Sequence, residues 1–76
     1  MLPGTPRTFI GSTTFVVQPL TDATARAVVA AIAAVPGVES VGVDAASGTV
    51  TVRASEPVDR ADIAEAVAAT GCRLAP

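Results

Sequence analysis

The sequence predicts an α+β sandwich in the order β-α-β-β-α-β: a four-stranded antiparallel sheet with two helices on one face. Three observations predict it. Two stretches rich in β-branched residues, TTFVV (Thr13–Val17) and TVTVRA (Thr49–Ala54), have strand composition, and the second alternates cleanly. Each is followed by an alanine-rich segment whose larger apolar residues recur at helical spacing. The two halves also repeat each other, as strand, helix, a glycine-bearing closure (PGV, then TGC) and strand. Two such units interleave into one antiparallel sheet, because split βαβ units place alternate strands side by side.

Taken in order, the first strand is expected over Thr13–Val17 and stops at Pro19, which has no backbone N–H to donate. Thr21 or Asp22 is then placed to cap a helix, and an acidic residue there suits the positive helix N-terminus. Val28, Ile32 and Val35 make one apolar stripe, flanked by alanines small enough to let the helix sit close to a sheet. Pro36-Gly37 ends it. VESVGVD (Val38–Asp44) puts Val41 and Val43 on one face, and AASG (Ala45–Gly48) is a hairpin turn with Gly48 supplying left-handed backbone. In the strand that follows, Val50 and Val52 point inward while Thr49, Thr51 and Arg53 point to water, the mark of an antiparallel sheet with one wet face. Asp59 is the expected N-cap of the second helix, with Asp62 at the capping-box position and Val58 placed to staple against Ile63. Ile63 and Val67 face the core. Gly71 closes this helix, and a short last strand runs through Cys72 to Ala75. This is the ferredoxin-like arrangement.

At 76 residues the chain is one small domain, half hydrophobic with 16% charged residues, so it folds but has no room for a deep enclosed active site. It contains no His, Lys, Asn, Trp or Tyr, and Cys72 is its only cysteine. An intramolecular disulfide and a zinc site of several thiolate or imidazole ligands are therefore impossible. Without His there is no Ser-His-Asp chemistry, and the Asn that acylphosphatases of this topology use is missing, so no enzyme activity is expected. Five scattered arginines, a net charge of -2 and too few strand aromatics for base stacking (only Phe15 is counted there) exclude a nucleic-acid footprint. Charges interrupt both helical segments, so no membrane span is expected, and MLPGTPRTFIGS has no signal-peptide core. A cytoplasmic protein is expected, with residues 1–12 as an N-terminal arm, extended or packed along the sheet edge, and residues 13–76 as the domain.

Three stretches, AIAAVPGVESVGVD (Ala31–Asp44), GTVTV (Gly48–Val52) and DIAEAVAATGCRL (Asp62–Leu74), resemble the heavy-metal-associated domain family of copper chaperones and metal-transporting ATPases. The resemblance covers about Thr13 to Leu74. In that family a GMxCxxC loop between the first strand and helix holds a soft ion such as Cu(I) on two thiolates at a helix N-terminus. Counted back from Pro36 without a gap, the cysteine positions fall on Thr21 and Thr24. Matching PLT (Pro19–Thr21) to the family's Gly-Met-Thr puts them on Asp22 and Ala25. Neither register supplies a thiol, so this is a degenerate member without the CxxC motif.

The resemblance implies a stand-alone accessory or protein-interaction module of metal transport. It would bind no cofactor, dock on a metal-transporting ATPase or a related domain, and be able to form a homodimer. The alternative is an atypical metal chaperone in which Cys72, which takes the place of an aromatic near the family's metal loop, holds Cu(I) or another soft ion, shared across a dimer; Asp22 is the candidate ligand of a separate hard-cation site. Against it, Cys72 matches the apolar Val38 in the internal repeat, and one carboxylate among hydroxyls is far from the oxygen shell of a hard cation. A regulatory module of the ACT type has the same strand order, but the PGV and TGC landmarks fit it less well.

Overall fold

A computed structural model of the protein describes residues 7–75. The elements are β1 (Thr8–Gln18), α1 (Asp22–Ala33), β2 (Val38–Asp44), β3 (Thr49–Asp59), α2 (Arg60–Ala68) and β4 (Arg73–Leu74). They form one antiparallel sheet in the order β2-β3-β1-β4, the ferredoxin-like topology read from the sequence.

Alternation decides which face of the sheet is dry. Val17, Val50, Val52 and Val58 are fully buried with Val28 and Ile32 of α1 and Ile63 and Val67 of α2. Phe9, Phe15, Ala54 and Cys72 complete the core, and Val35, Val41 and Val43 pack partly buried against it. Every inward valine expected on β2 and β3 lies on this face. Thr14, Thr51 and Arg53 lie on the other, where the Thr14 and Thr51 hydroxyls meet at 3.2 Å and Arg53 faces Glu39 at 3.7 Å.

The turns follow from local chemistry. Gly48, at φ 72°, supplies the left-handed residue of the β2–β3 hairpin, and Asp44 Oδ1 accepts the Ala46 N–H at 3.1 Å to hold the turn. Gly37 (φ 95°) turns the chain from α1 into β2, and Gly71 (φ 88°) closes α2. Asp59 caps α2 by accepting the Ala61 N–H at 2.8 Å. The expected return bond from Asp62 is not formed, because its carboxylate is one methylene shorter than the Glu that spans this distance.

Strand β1 begins at Thr8 rather than Thr13. Residues 8–12, expected as part of an N-terminal arm, pair with β3 along one side, from Thr8 opposite Asp59 to Ser12 opposite Arg53; residues 1–6 of that arm lie outside the described residues. Gly11, within that expected arm, adopts φ 84° inside the strand, beside a register irregularity in the β1–β3 pairing. The correction adds Phe9 to the core. Its ring meets that of Phe15 edge to face, with centroids 5.6 Å apart.

Candidate functional site

The loop from β1 to α1 is where the sequence places the candidate site. Gln18 ends the strand, Pro19 and Leu20 cross over, and Thr21 opens the helix with extended backbone (φ -119°, ψ 173°). A helix start leaves backbone N–H groups without intrahelical partners, and the two threonines satisfy them reciprocally. Thr21 Oγ1 accepts the Thr24 N–H at 3.2 Å, and Thr24 Oγ1 accepts the Thr21 N–H at 2.8 Å. The two hydroxyls stand 3.2 Å apart, and Thr24 Oγ1 also donates to the Pro19 carbonyl at 3.0 Å. Of the two capping residues read from the sequence, Thr21 is the cap. Asp22 follows it as the first helical residue, exposed in the first turn, where its charge favours the helix N-terminus.

Cys72 reaches the same loop from the far end of the chain. It is buried, with 5% exposure, and its thiol donates to the Pro19 carbonyl at 3.2 Å. That carbonyl therefore accepts from both Thr24 and Cys72 and ties α1, the loop and the entry to β4 together. The sequence expectation that Cys72 lies near the loop holds. Its neighbours there are a carbonyl oxygen and apolar side chains, whereas Asp22 faces solvent.

The donors on this loop are two hydroxyls, one carboxylate and one thiol already bonded to a carbonyl. Soft monovalent ions prefer two sulfur ligands, and hydroxyls do not replace thiolates for them. Among the described residues no group of three or more Cys, Asp or Glu side chains is placed to hold a metal ion, and no enclosed pocket is found. No helix among them is long and apolar enough to cross a membrane.

Two features were not read from the sequence. Phe9 belongs to the core, and Arg60 lies across both aromatic rings, its guanidinium carbon 5.5 Å from the Phe9 centroid and 5.7 Å from that of Phe15. The β-branched and aromatic run of Thr8, Phe9 and Ile10 carried the signal for the first, interrupted by Gly11. Nothing local announces the second, since it depends on how α2 crosses β1.

The comparisons with known proteins bear on the family and the fold. No curated protein sequence matches the chain. Among solved structures, a CopZ metallochaperone is similar in fold, with a TM-score of 0.79 and 21% identity over 86% of this chain and 100% of that one. The profile of the heavy-metal-associated domain matches residues 14–72, which takes in both helices, β2, β3 and the β1–α1 loop. The chain belongs to the heavy-metal-associated domain family.

Proposed function

We propose that this domain is a small accessory module of metal transport that docks on a partner without carrying an ion on a cysteine pair. The partner class is a metal-transporting ATPase or a related domain, and the setting is the cytoplasm. Catalysis is not part of its role. The supporting observation is the reciprocal bonding of Thr21 and Thr24: in the gapless register these occupy the family's two thiolate positions, and their hydroxyls complete a helix cap instead. A loop whose two hydroxyls are already bonded to its own backbone keeps its shape with no metal bound.

One observation favours a second reading. Cys72 lies against this loop, with its sulfur 3.2 Å from the Pro19 carbonyl oxygen, so two copies could share a soft ion through paired Cys72 thiolates. Titration of Cu(I) in competition with a chromogenic chelator, followed by sizing on a column, separates the two. The docking reading expects no tight uptake by the wild-type protein and no change in Cys72→Ser. Tight uptake at half an ion per chain, with dimer formation and loss of both in Cys72→Ser, establishes the second reading and overturns the first.

A further inference from the structure

Part of the edge of β1 is unused. β4 pairs only with Val17 and Gln18, and Ala75 adds one bond from its N–H to the Val16 carbonyl at 2.8 Å. Successive residues of a strand direct their N–H and C=O groups to opposite edges. Val16 thus faces β4, while the Val17 N–H reaches the Gly48 carbonyl at 2.9 Å on the β3 side. At the other end of the strand the Arg7 carbonyl accepts the Arg60 N–H at 2.7 Å, directly beyond β3. Odd-numbered residues therefore face β3 at both ends of β1. The pairing irregularity preserves this, since Ile10 alone separates Phe9 from Gly11 whereas Ser55, Glu56 and Pro57 separate their partners Ala54 and Val58. Thr8, Ile10, Ser12 and Thr14 turn their backbone groups toward the opposite edge, and no described strand meets them there.

Arg60 covers the inner face of this same stretch. Its guanidinium rests on the rings of Phe9 and Phe15, and its Nε is buried without a hydrogen-bond partner. Among the described residues the ion pair formed is that of Arg53 with Glu39, and residues 1–6 and 76 contain no acidic side chain. The neighbouring Asp59 uses its carboxylate to cap α2. Among the described residues, Arg60 is thus a partly buried cation with no carboxylate in ion-pair contact. On the open face of the stretch Ile10 is 62% exposed, more than any other large apolar side chain described.

We propose that the β1 edge from Thr8 to Thr14 receives an extended acidic segment of a partner protein. The segment adds as a fifth strand, with a carboxylate on its inner face meeting Arg60 and apolar residues on its outer face covering Ile10. Unpaired strand edges template such addition, main-chain bonds giving affinity and alternate side chains specificity. The stretch spans about 20 Å, enough for roughly six residues of strand. Charge selects an acidic partner over a second copy of this chain. A two-fold mate would present Phe9, Gly11 and Thr13 on its inner face, none of them acidic, and would bring its own Arg60 toward this one. The proposal extends the docking role above by naming its surface, and its failure leaves the Cu(I) result untouched.

The test uses two synthetic peptides, fluorescein-GSTVEVTSG-amide and the same peptide with Lys for Glu, read by fluorescence anisotropy and by NMR hydrogen exchange on the full chain. The acidic peptide is expected to bind at least tenfold more tightly than the basic one and to slow exchange at Ile10, Ser12 and Thr14. Arg60→Met, which keeps an apolar stem over the rings, is expected to abolish the discrimination. Absence of binding, equal binding of both peptides, or protection confined to other strands overturns the proposal. So does slowed exchange at these amides that grows with protein concentration alone, which assigns the edge to a second copy. The peptide comparison on wild-type protein decides the matter even if the variant fails to fold.

Discussion

The thiol of Cys72 donates to the carbonyl oxygen of Pro19 across 53 positions of sequence, at 3.2 Å. The bond joins the closing turn of α2 to the loop that opens α1. It gives the single sulfur a packing and positioning role that can be measured. Cys72→Ala is expected to cost about 1 kcal/mol, as for other deletions of one buried heavy atom. Cys72→Ser, which can still donate to Pro19, should recover part of that loss in urea unfolding. A serine variant no more stable than the alanine variant would show that the bond contributes nothing.

The paired caps at Thr21 and Thr24 lead to a non-additive result. Thr21→Ala removes the acceptor for the Thr24 N–H and is expected to cost about 1 kcal/mol. Thr24→Val removes the reciprocal acceptor and the donor to Pro19 and should cost a similar amount. Because each hydroxyl helps to orient the other, the double variant is expected to lose less than the sum of the single losses. Strict additivity in a double-mutant cycle would mean that the two act independently.

Restoring thiols tests the register of the loop. With Thr21 and Thr24 converging across the first turn of α1, the double variant Thr21→Cys/Thr24→Cys is expected to take up Cu(I) tightly as a monomer, one ion per chain. The pair Asp22→Cys/Ala25→Cys, at the first and fourth helical positions, is expected to bind much more weakly. The reverse order of affinities in a chelator competition would support the register in which Asp22 and Ala25 match the family's cysteines.

Two glycines should respond in opposite ways. At Gly37 a Cβ would sit 3.0 Å from Val58 Cγ2 and 3.4 Å from the Glu56 carbonyl, on backbone with φ 95°. Gly37→Ala combines left-handed strain with overpacking against the core and should cost about 1–3 kcal/mol. At Gly42 an added methyl would meet nothing within 4 Å and φ is ordinary, so Gly42→Ala is expected to be neutral or stabilising by up to about 1 kcal/mol. Thermal unfolding of the two variants, scanned side by side, checks both statements.

The status of Phe9 distinguishes a strand from an arm. As a core residue packed on Phe15 and Arg60, its replacement by Ala is expected to cost about 3 kcal/mol, a large share of the stability of a domain this small. The exposed neighbour offers the contrast, since Ile10→Thr should change stability by less than about 0.5 kcal/mol. Equal and small effects at both positions, measured by denaturant unfolding, would return residues 8–12 to the status of an arm.

Much of the molecule was legible because its rules are short-range. The alternation of Val50 and Val52, the stripe of Val28 and Ile32, the cap at Asp59 and the left-handed turns at Gly48 and Gly71 each depend on neighbours within a turn or a hairpin. The lack of a thiol pair is equally local, since a chain with one cysteine cannot form one. Thr21 and Asp22 were both credible caps, and the backbone geometry at Thr21 decided between them.

By itself, then, the sequence determined the order of the elements, the dry faces and the donors available to the loop. Tertiary structure decided that β1 starts at Thr8, that Phe9 lies beneath Arg60 and that Cys72 bonds to Pro19. The physical reason is one of range. A strand that tolerates a glycine is stabilised by its partner strand, and a guanidinium over two rings or a thiol on a distant carbonyl exists only once the chain has closed on itself.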